Sequence, residues 1–341
     1  MKVSSIIKLA GAILIAITVI AVPAAAFTPV TITDATGATL TITEEPQRIV
    51  SLTPTVAEIL FAVGAGDRVV ASAENTDYPA EAAKLPTVGS YASLSMERIL
   101  TLVPDLLIGE KSMIRTDELE YLRTHGCTVL IVDADDIATA MESFLTIGKA
   151  VGCTSNAENL VNSIKNELKL ITDATSVLSE EKPTVAHLLW YDPLFVSGKD
   201  TMQDNLITAA GCTNAFSDVS GWGVVNIEQF LVTNPDIIII NTSMGEGETS
   251  DAVIDTYFGN DARFKTLSAY KNNKIYVIDG DLVDRSGPRL IQGVEAIAKI
   301  AYPEIFGEYT FENTDIAKTP GFAPVLVLFG VAAAFFLRRR S

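Results

Sequence analysis

The sequence contains few of the residues from which metal centres and enzyme active sites are most often built. It has two histidines and three cysteines among its 341 residues. His125 and His187 lie far apart, and Cys127, Cys153 and Cys212 lack the short spacings of zinc ligands. The GxSxG nucleophile elbow, the Walker loop and the glycine-rich dinucleotide fingerprint are absent too. We therefore expect neither an enzyme nor a metal or cofactor. A surface enzyme and a structural envelope protein stay open as alternatives, because catalytic residues need not be neighbours in sequence.

Basic residues are also scarce. The chain has 25 lysines and arginines against 42 aspartates and glutamates, and its formal net charge is −17. A nucleic acid is then not an expected partner, because the neutralisation of phosphates needs clustered cations. A large net charge of one sign keeps an exposed protein soluble and favours a monomer.

The N-terminal segment 1–26 has the composition of a secretory signal peptide. A cationic stretch that ends at Lys8 is followed by an apolar run and by Ala24-Ala25-Ala26, which are small residues suited to cleavage. An uncleaved membrane anchor is the alternative. No cysteine follows the apolar run, so we do not expect a lipid at this end.

The C-terminal segment 320–341 contains Pro320-Gly321-Phe322, an apolar stretch to Leu337 and three arginines. Its apolar part is short for a stable membrane span, which needs about 20 residues. The arrangement resembles the PGF-type sorting signal of archaeal surface proteins, which implies removal and replacement by a lipid. An ordinary C-terminal anchor is the alternative. In both cases residues 311–319 form a linker, and the folded part is tethered to the outer face of the cell membrane.

The three cysteines have two interpretations in such a location. Outside the cell, two of them could be joined in a disulfide. Cys127 and Cys212 each follow a glycine at the end of a predicted helix and are equally suited to be small buried side chains. We favour the second interpretation, since free cysteine is among the most buried residue types.

One pattern occurs twice in the chain. Glu97 precedes Pro104-Asp105 by a short helical segment, Glu228 precedes Pro235-Asp236 in the same way, and each pair is followed by an apolar strand. The repeat predicts two related α/β lobes, 27–152 and 183–310. The groove between two domains is a favoured place for a small molecule to bind.

A long helix is predicted between the lobes, within residues 153–182. Apolar residues keep helical spacing there, and Ser155 with Glu158 forms a capping box at its start. Roughly 23 residues at 1.5 Å each give a stiff strut of about 34 Å, so we expect the lobes to close little over a ligand. In the second lobe, Pro288 is expected at the first position of the last helix.

Aromatic residues are concentrated in predicted loops beside glycines and strand ends. Flat, rigid rings lose little entropy on binding and offer large apolar faces, which suits a broad planar ligand. They are Tyr78, Tyr91, Trp190, Tyr191, Phe195 and Trp222.

Several short segments, taken in order, then identify a family: Pro46–Leu52, Thr76–Pro79, Glu97–Ile99, Val103–Ile108, Phe195–Lys199 and Asn234–Asp236. In this order and spacing they resemble the substrate-binding proteins of ABC importers for cobalamin and iron complexes. The resemblance covers nearly all of residues 28–306. It implies two Rossmann-like α/β lobes with mostly parallel sheets, joined by one long helix, with the ligand in the cleft between them.

The resemblance is greatest to the cobalamin-binding branch, and it implies both a ligand and the residues that bind it. The ligand is a corrinoid, with a ferric siderophore or haem as the alternative. Leu282 stands where that branch has an aromatic residue, and Tyr91 where it has a larger one. The implied ligand contacts are the rings of Tyr78, Tyr91, Phe195 and Trp222 and the polar groups of Asp281, Asp284 and Arg285.

Glu97 and Glu228 match the carboxylates that dock onto arginines of the membrane permease dimer in this family. One acid on each lobe suits a two-fold permease, because it supplies charge-assisted bonds and a faster encounter. The alternative is that each glutamate only caps the N-terminus of its helix, where a carboxylate is also favourable.

Overall fold

The computed structural model describes residues 27–90, 93–178, 181–241 and 250–311. Segments 1–26 and 320–341 and all but the first residue of the linker 311–319 lie outside the described residues. The described part begins with an antiparallel hairpin of β1 (Val30–Thr33) and β2 (Thr39–Ile42). Gly37 supplies the positive φ of +82° in its turn. Asp34 fixes that turn by accepting hydrogen bonds from the backbone N–H groups of Thr36 and Ala38.

The N-terminal lobe is a four-stranded parallel sheet covered by helices. The strand order is β4-β3-β7-β8. Thr53 caps the first helix of the lobe by accepting the N–H of Val56, and Gly64 at φ +87° follows its end. The elements are β3 (Ile49–Ser51), α1 (Pro54–Ala62), β4 (Val69–Ala71), β5 (Gly89–Ser90), β6 (Ser93–Leu94), α2 (Met96–Thr101), β7 (Leu106–Glu110), α3 (Thr116–Thr124), β8 (Val129–Val132) and α4 (Ile137–Ala150).

The linker helix α5 runs over Thr154–Ser176, and its length of 23 residues confirms the predicted one. The predicted capping box of Ser155 and Glu158 is wrong. The chain turns at Gly152, which has φ +74°, and the helix begins directly after Cys153, so that Ser155 already lies in its first turn.

The C-terminal lobe has a larger sheet, in the order β12-β10-β9-β13-β14 with β11 beside β9. The strands β9, β11, β13 and β14 are parallel, and β10 and β12 are antiparallel to their neighbours, so the sheet is mostly parallel. The elements are β9 (Thr184–Tyr191), β10 (Leu194–Ser197), α6 (Met202–Ala209), β11 (Thr213–Asn214), β12 (Trp222–Val225), α7 (Ile227–Thr233), β13 (Ile237–Asn241), α8 (Ser250–Ile254), α9 (Ser268–Lys271), β14 (Ile275–Ile278), α10 (Gly280–Asp284), α11 (Leu290–Ala301) and α12 (Pro303–Phe306).

One expectation for this lobe is wrong. The last long helix, α11, begins at Leu290, with Arg289 as its N-cap. Pro288 therefore precedes the helix and does not occupy its first position. The N–H of Leu290 bonds to the carbonyl of Gly287, so a tight turn stands where we expected the first helical residue.

The two lobes share one hydrophobic core. A single cluster of buried residues includes side chains of α1 and α4 in the first lobe, of α5, and of α6 and α11 in the second, whereas the other face of each sheet has a cluster of its own. Asn156 of α5 also donates a hydrogen bond of 2.8 Å to the carbonyl of Val63, at the end of α1. This continuous layer of helices favours a rigid connection between the lobes.

The repeated Pro-Asp pair has the same structural role in both lobes. Asp105 accepts the backbone N–H groups of Gln47 and Arg48, just before β3, and Asp236 accepts the N–H of Thr184 at the start of β9. Each aspartate thus holds the beginning of the strand beside its own.

No helix among the described residues is both long and apolar enough to cross a bilayer.

Candidate functional site

The chain segments that follow the parallel strands of the two sheets meet at the seam between the lobes. Helix α1 follows β3 in the first lobe, and the segment 285–289 comes after β14 and α10 in the second. Side chains of these two segments are in direct contact. Ligands of open α/β sheets bind outside the carboxyl ends of the strands, so this seam is the candidate site.

A cluster of charged residues lies across the seam, and we call it the seam cluster: Glu58, Asp77, Asp281, Arg285 and Arg289. At its centre Glu58, whose side chain is 1% exposed, accepts two hydrogen bonds from Arg289, at 2.9 and 2.7 Å. Arg285 donates a third to the same carboxylate at 3.0 Å. A buried carboxylate is tolerated only when it is paired in this way.

Arg285 is fully engaged within the protein. Its guanidinium also bonds to Asp77 at 2.7 Å, to the carbonyl of Asn75 at 3.1 Å and to Asp281 at 2.9 Å. Burial opposes its charge, but the carboxylates of Asp281, Asp77 and Glu58 together raise the pKa of Arg285. The predicted ligand contacts Asp281 and Arg285 thus form an ion pair with each other.

The electrostatics of the seam are acidic. Burial raises the pKa of Asp281, although Arg285 and Arg289 act to lower it. Burial also raises the pKa of Glu110, at the end of β7, against hydrogen bonds from Thr53 and Thr55. On both lobes, burial is thus the main cause of the raised carboxyl pKa values.

Tyr78 lies against this cluster. The guanidinium carbon of Arg289 stands 4.2 Å from the centre of the Tyr78 ring, which is a cation–π contact between the lobes. The ring is half-buried. Tyr91, the other aromatic residue expected in this lobe, lies outside the described residues.

Phe195 and Trp222 are brought together in the second lobe, as two predicted ligand contacts should be. Their rings stack at 5.4 Å between centroids, and the edge of the His187 ring meets Trp222 at 5.9 Å. Trp222 is paired in register with Ser197, and it keeps 38% of its surface exposed. An accessible, rigid, stacked ring is suited to hold an apolar face of a ligand.

Asp284, the last predicted ligand contact, belongs to a hydrogen-bonded network of the second lobe. One oxygen accepts from Gln203 at 2.9 Å and the other from Asn241 at 2.6 Å. The oxygen of the Asn241 amide then faces Nε2 of His187 at 2.7 Å, so Nε2 carries the proton. Burial lowers the pKa of His187, although the charge of Asp284 acts to raise it.

Glu97 and Glu228 occupy equivalent positions, each the second residue of a short helix, α2 or α7, and both are exposed. Neither side chain caps its helix. Ser95 is the N-cap of α2, and the side chain of Asn226 caps α7 by accepting the N–H of Gln229. Neither carboxylate forms an ion pair with a cation in the described part of the chain.

Sequence reasoning missed Glu58, Asp77 and Arg289. A signal did exist, because Glu58 is a single acid within an otherwise apolar stretch of α1, and two arginines flank the Ser-Gly-Pro sequence before α11. The three cysteines are free thiols, as expected, and burial raises the pKa of Cys212 to about 12.

A concavity of about 650 Å³ lies away from the seam, between the hairpin and α3. Its two cations are already paired, Arg123 with Asp34 and Lys111 with Asp133. It therefore presents no free charge to a ligand, and we assign the site to the seam on the basis of its contacts.

Comparison with known proteins identifies the family of this chain. A family model described as periplasmic binding protein matches residues 49–282. An uncharacterized ABC transporter substrate-binding lipoprotein of Bacillus subtilis is 35% identical over 285 residues, 82% of this chain and 88% of that protein. A vitamin B12-binding protein of Pectobacterium atrosepticum is 29% identical, over 74% of this chain and 87% of that protein. The crystal structure of a possible iron-binding, periplasmic solute-binding protein of Staphylococcus epidermidis superposes with a TM-score of 0.67, is 28% identical and covers 76% of this chain and all of that one. The chain therefore belongs to the periplasmic binding protein family, a family of substrate-binding proteins for ABC transporters and not of enzymes.

Proposed function

We propose that this protein is an extracytoplasmic receptor that captures a corrinoid in the cleft between its lobes and delivers it to an ABC importer. The observation that carries the ligand class is the combination of partly exposed aromatic rings on both lobes with a seam whose arginines are already paired with acids. Rings on both lobes, Tyr78 on one and the stacked Phe195 and Trp222 on the other, are suited to the apolar faces of a broad macrocycle.

The charge of the seam cluster distinguishes between candidate ligands. Its three carboxylates outnumber its two guanidinium groups, and both arginines are bound to acids. An anionic chelate needs unpaired cations, whereas a neutral or cationic corrinoid does not. The similarity to a vitamin B12-binding protein supports the same ligand class.

An iron complex is the second candidate, and the similarity to the possible iron-binding protein favours it. Lys199, at the end of β10, is exposed and is the cation that such a ligand would use beyond the seam cluster. A single lysine supplies less charge than a siderophore or haem with several carboxylates requires.

The delivery step uses Glu97 and Glu228. Each is exposed on its own lobe at the same helical position, so the two acids are suited to bind arginines of the two permease subunits. We further propose that segment 1–26 directs export of the protein, that segment 320–341 retains it at the membrane, and that it acts as a monomer.

Calorimetric titration of residues 27–311 with cobalamin, cobinamide, haem and a ferric siderophore tests the ligand class. We expect saturable heat with the corrinoids alone. Tight binding of only haem or the siderophore would identify the ligand as an iron complex. The absence of binding to all four compounds would refute both candidate ligands.

A further inference from the structure

Glu58, Arg285 and Arg289 join two parts of the chain that are distant in sequence. The bond between Arg285 and Glu58 spans 227 positions, and the bonds between Arg289 and Glu58 span 231. Glu58 belongs to the first lobe and both arginines to the second. The side chains are largely buried, at 1%, 14% and 11% exposed respectively. A buried, bidentate pair of this kind fixes geometry more firmly than a surface ion pair does.

The position of this contact along α1 determines its mechanical effect. The end of α1 is already attached to α5 by the hydrogen bond from Asn156 to Val63. Glu58 lies five residues earlier, which is about 7 Å along the helix axis. The shared core and the bond from Asn156 hold the end of α1, and the bonds to Glu58 attach the middle of the same helix to the second lobe, so together they oppose rotation of the lobes.

The same contact also fixes the side chain of Tyr78, a predicted ligand contact. Arg289 stacks on the ring of Tyr78, and Arg285 holds Asp77 and the carbonyl of Asn75 in the loop that carries this ring. The segment between the arginines must approach α1 closely, because a Cβ on Gly287 would stand 3.2 Å from Oε2 of Glu58. Glycine at this position permits that approach.

We infer that Glu58, Arg285 and Arg289 form an interlobe clamp, which fixes the spacing between the lobes and holds the ring of Tyr78 in place. These residues are positioning residues and not ligand contacts. The fixed spacing is a property of the protein alone. Its use in presenting Glu97 and Glu228 to a permease rests on the proposed function.

Distance measurement by pulsed electron paramagnetic resonance tests the clamp in the absence of any ligand. Spin labels are placed at Thr101→Cys and Val232→Cys, two exposed and equivalent positions of α2 and α7. Cys127 and Cys153 are replaced by Ser in this background, and Cys212, which is 2% exposed, remains unlabelled.

In the parent protein we expect one narrow distance distribution. Glu58→Gln removes the carboxylate that both arginines share and should add a population at longer distances. Arg289→Gln should have a similar effect. Glu45→Gln is the matched control, because it breaks an ion pair with Arg68 that lies within the first lobe, and it should leave the distribution narrow.

The double variant Glu58→Gln with Arg289→Gln separates bonding from net charge. It keeps the net charge that the seam cluster has in the parent protein, yet it lacks the bidentate pair, so we expect the distribution to stay broad. If both single variants and the double variant kept the narrow distribution of the parent, the clamp would be refuted. Should Glu58→Gln fail to fold, Arg289→Lys keeps the charge, removes the planar fork and gives the same comparison.

Corrinoid binding and the distance measurements together distinguish a failure of the proposed function from a failure of the clamp. If the protein binds no corrinoid but the distances broaden as expected, the clamp stands and the ligand assignment falls. If corrinoid binding is normal and the distances do not change, only the clamp falls.

Discussion

Trp222 is the residue of the second lobe on which we expect ligand recognition to depend most. Replacement of Trp222 by Ala removes an accessible ring that is stacked on Phe195. We expect corrinoid affinity to fall by about tenfold, corresponding to about 1.4 kcal/mol of lost stacking. Tyr121→Ala is the control, since Tyr121 is an aromatic residue of α3 in the other lobe that is 40% exposed and stacks on His125, and calorimetry should find the affinity of this variant unchanged. Equal losses in both variants would remove Trp222 from the site.

His187 makes the stability of the second lobe depend on pH. Burial lowers the pKa of His187 in the folded protein, while an imidazole of the unfolded chain takes up its proton near pH 6.5. The unfolded state therefore binds more protons as the pH falls below about 6.5, and the folded state loses stability there. In His187→Gln, where an amide still donates to Asn241, urea unfolding should show a smaller loss of stability between about pH 7.5 and 5.5 than in the parent.

His125→Gln is the control for this effect, because His125 is an exposed histidine of the other lobe. Its stability should fall with pH as in the parent. A loss in His187→Gln as steep as in the parent would show that other groups determine the pH dependence.

At the scale of single residues, the sequence predicted those features that depend on a local pattern of residues. The doubled motif correctly placed Glu97 and Glu228 at equivalent helix positions, whereas the stacking of Phe195 on Trp222 was not predicted. Nothing in the sequence indicated that Arg285 is bound to acidic residues of the other lobe. That contact joins residues 227 positions apart, and a local pattern contains no information about such a partner.

At the scale of elements, the ends of helices were less predictable than their existence. Helix α5 has the expected length, yet Cys153 and not Ser155 or Glu158 stands at its start. Arg68 reaches the same turn, donating to the carbonyl of Val151 and to the sulfur of Cys153. A tertiary contact therefore competes with the capping preference. Helix α11 begins two residues later than expected, and its N-cap residue, Arg289, is likewise engaged in a tertiary contact, with Glu58.

The ends of α2 and α7 offer a comparison between the lobes. The residue before the repeated Pro-Asp pair has a positive φ in both, +46° at Val103 and +44° at Asn234. Asparagine adopts this left-handed conformation easily, whereas a β-branched residue is strained there. Val103→Asn should therefore stabilise the protein by about 1 kcal/mol, measured by urea unfolding.

Asn234→Val is the reciprocal change and should destabilise the protein. Its effect includes the loss of hydrogen bonds to the side chain and backbone of Ser268, so we expect it to exceed the gain at Val103. A destabilised Val103→Asn would show that the exposed valine makes a contact that outweighs its strain.

At the scale of the whole molecule, rigidity and docking are linked. The shared helical core and the seam cluster join the two lobes, so we expect the spacing between Glu97 and Glu228 to change little on binding. A permease with two-fold symmetry can then recognise a fixed pair of acids, one for each subunit.

This link leads to a prediction about transport. In the double variant Glu97→Ala with Glu228→Ala, uptake of corrinoid by cells should fall strongly, because two charge-assisted contacts with the permease are lost. Corrinoid affinity should stay within about threefold of the parent value, since exposed charges outside the cleft act on docking and not on ligand binding. Uptake of labelled cobalamin and calorimetry on the purified protein measure the two quantities.

The control variant changes the net charge by the same amount, but at positions away from Glu97 and Glu228. Glu142 on α4 and Glu304 on α12 are exposed acids, one on each lobe, and neither forms an ion pair within the described residues. Uptake by Glu142→Ala with Glu304→Ala should equal that of the parent, because a general loss of negative charge affects only long-range attraction, which salt screens. If both double variants lost uptake equally, net charge alone would explain the effect, and if neither lost it, docking through Glu97 and Glu228 would be ruled out.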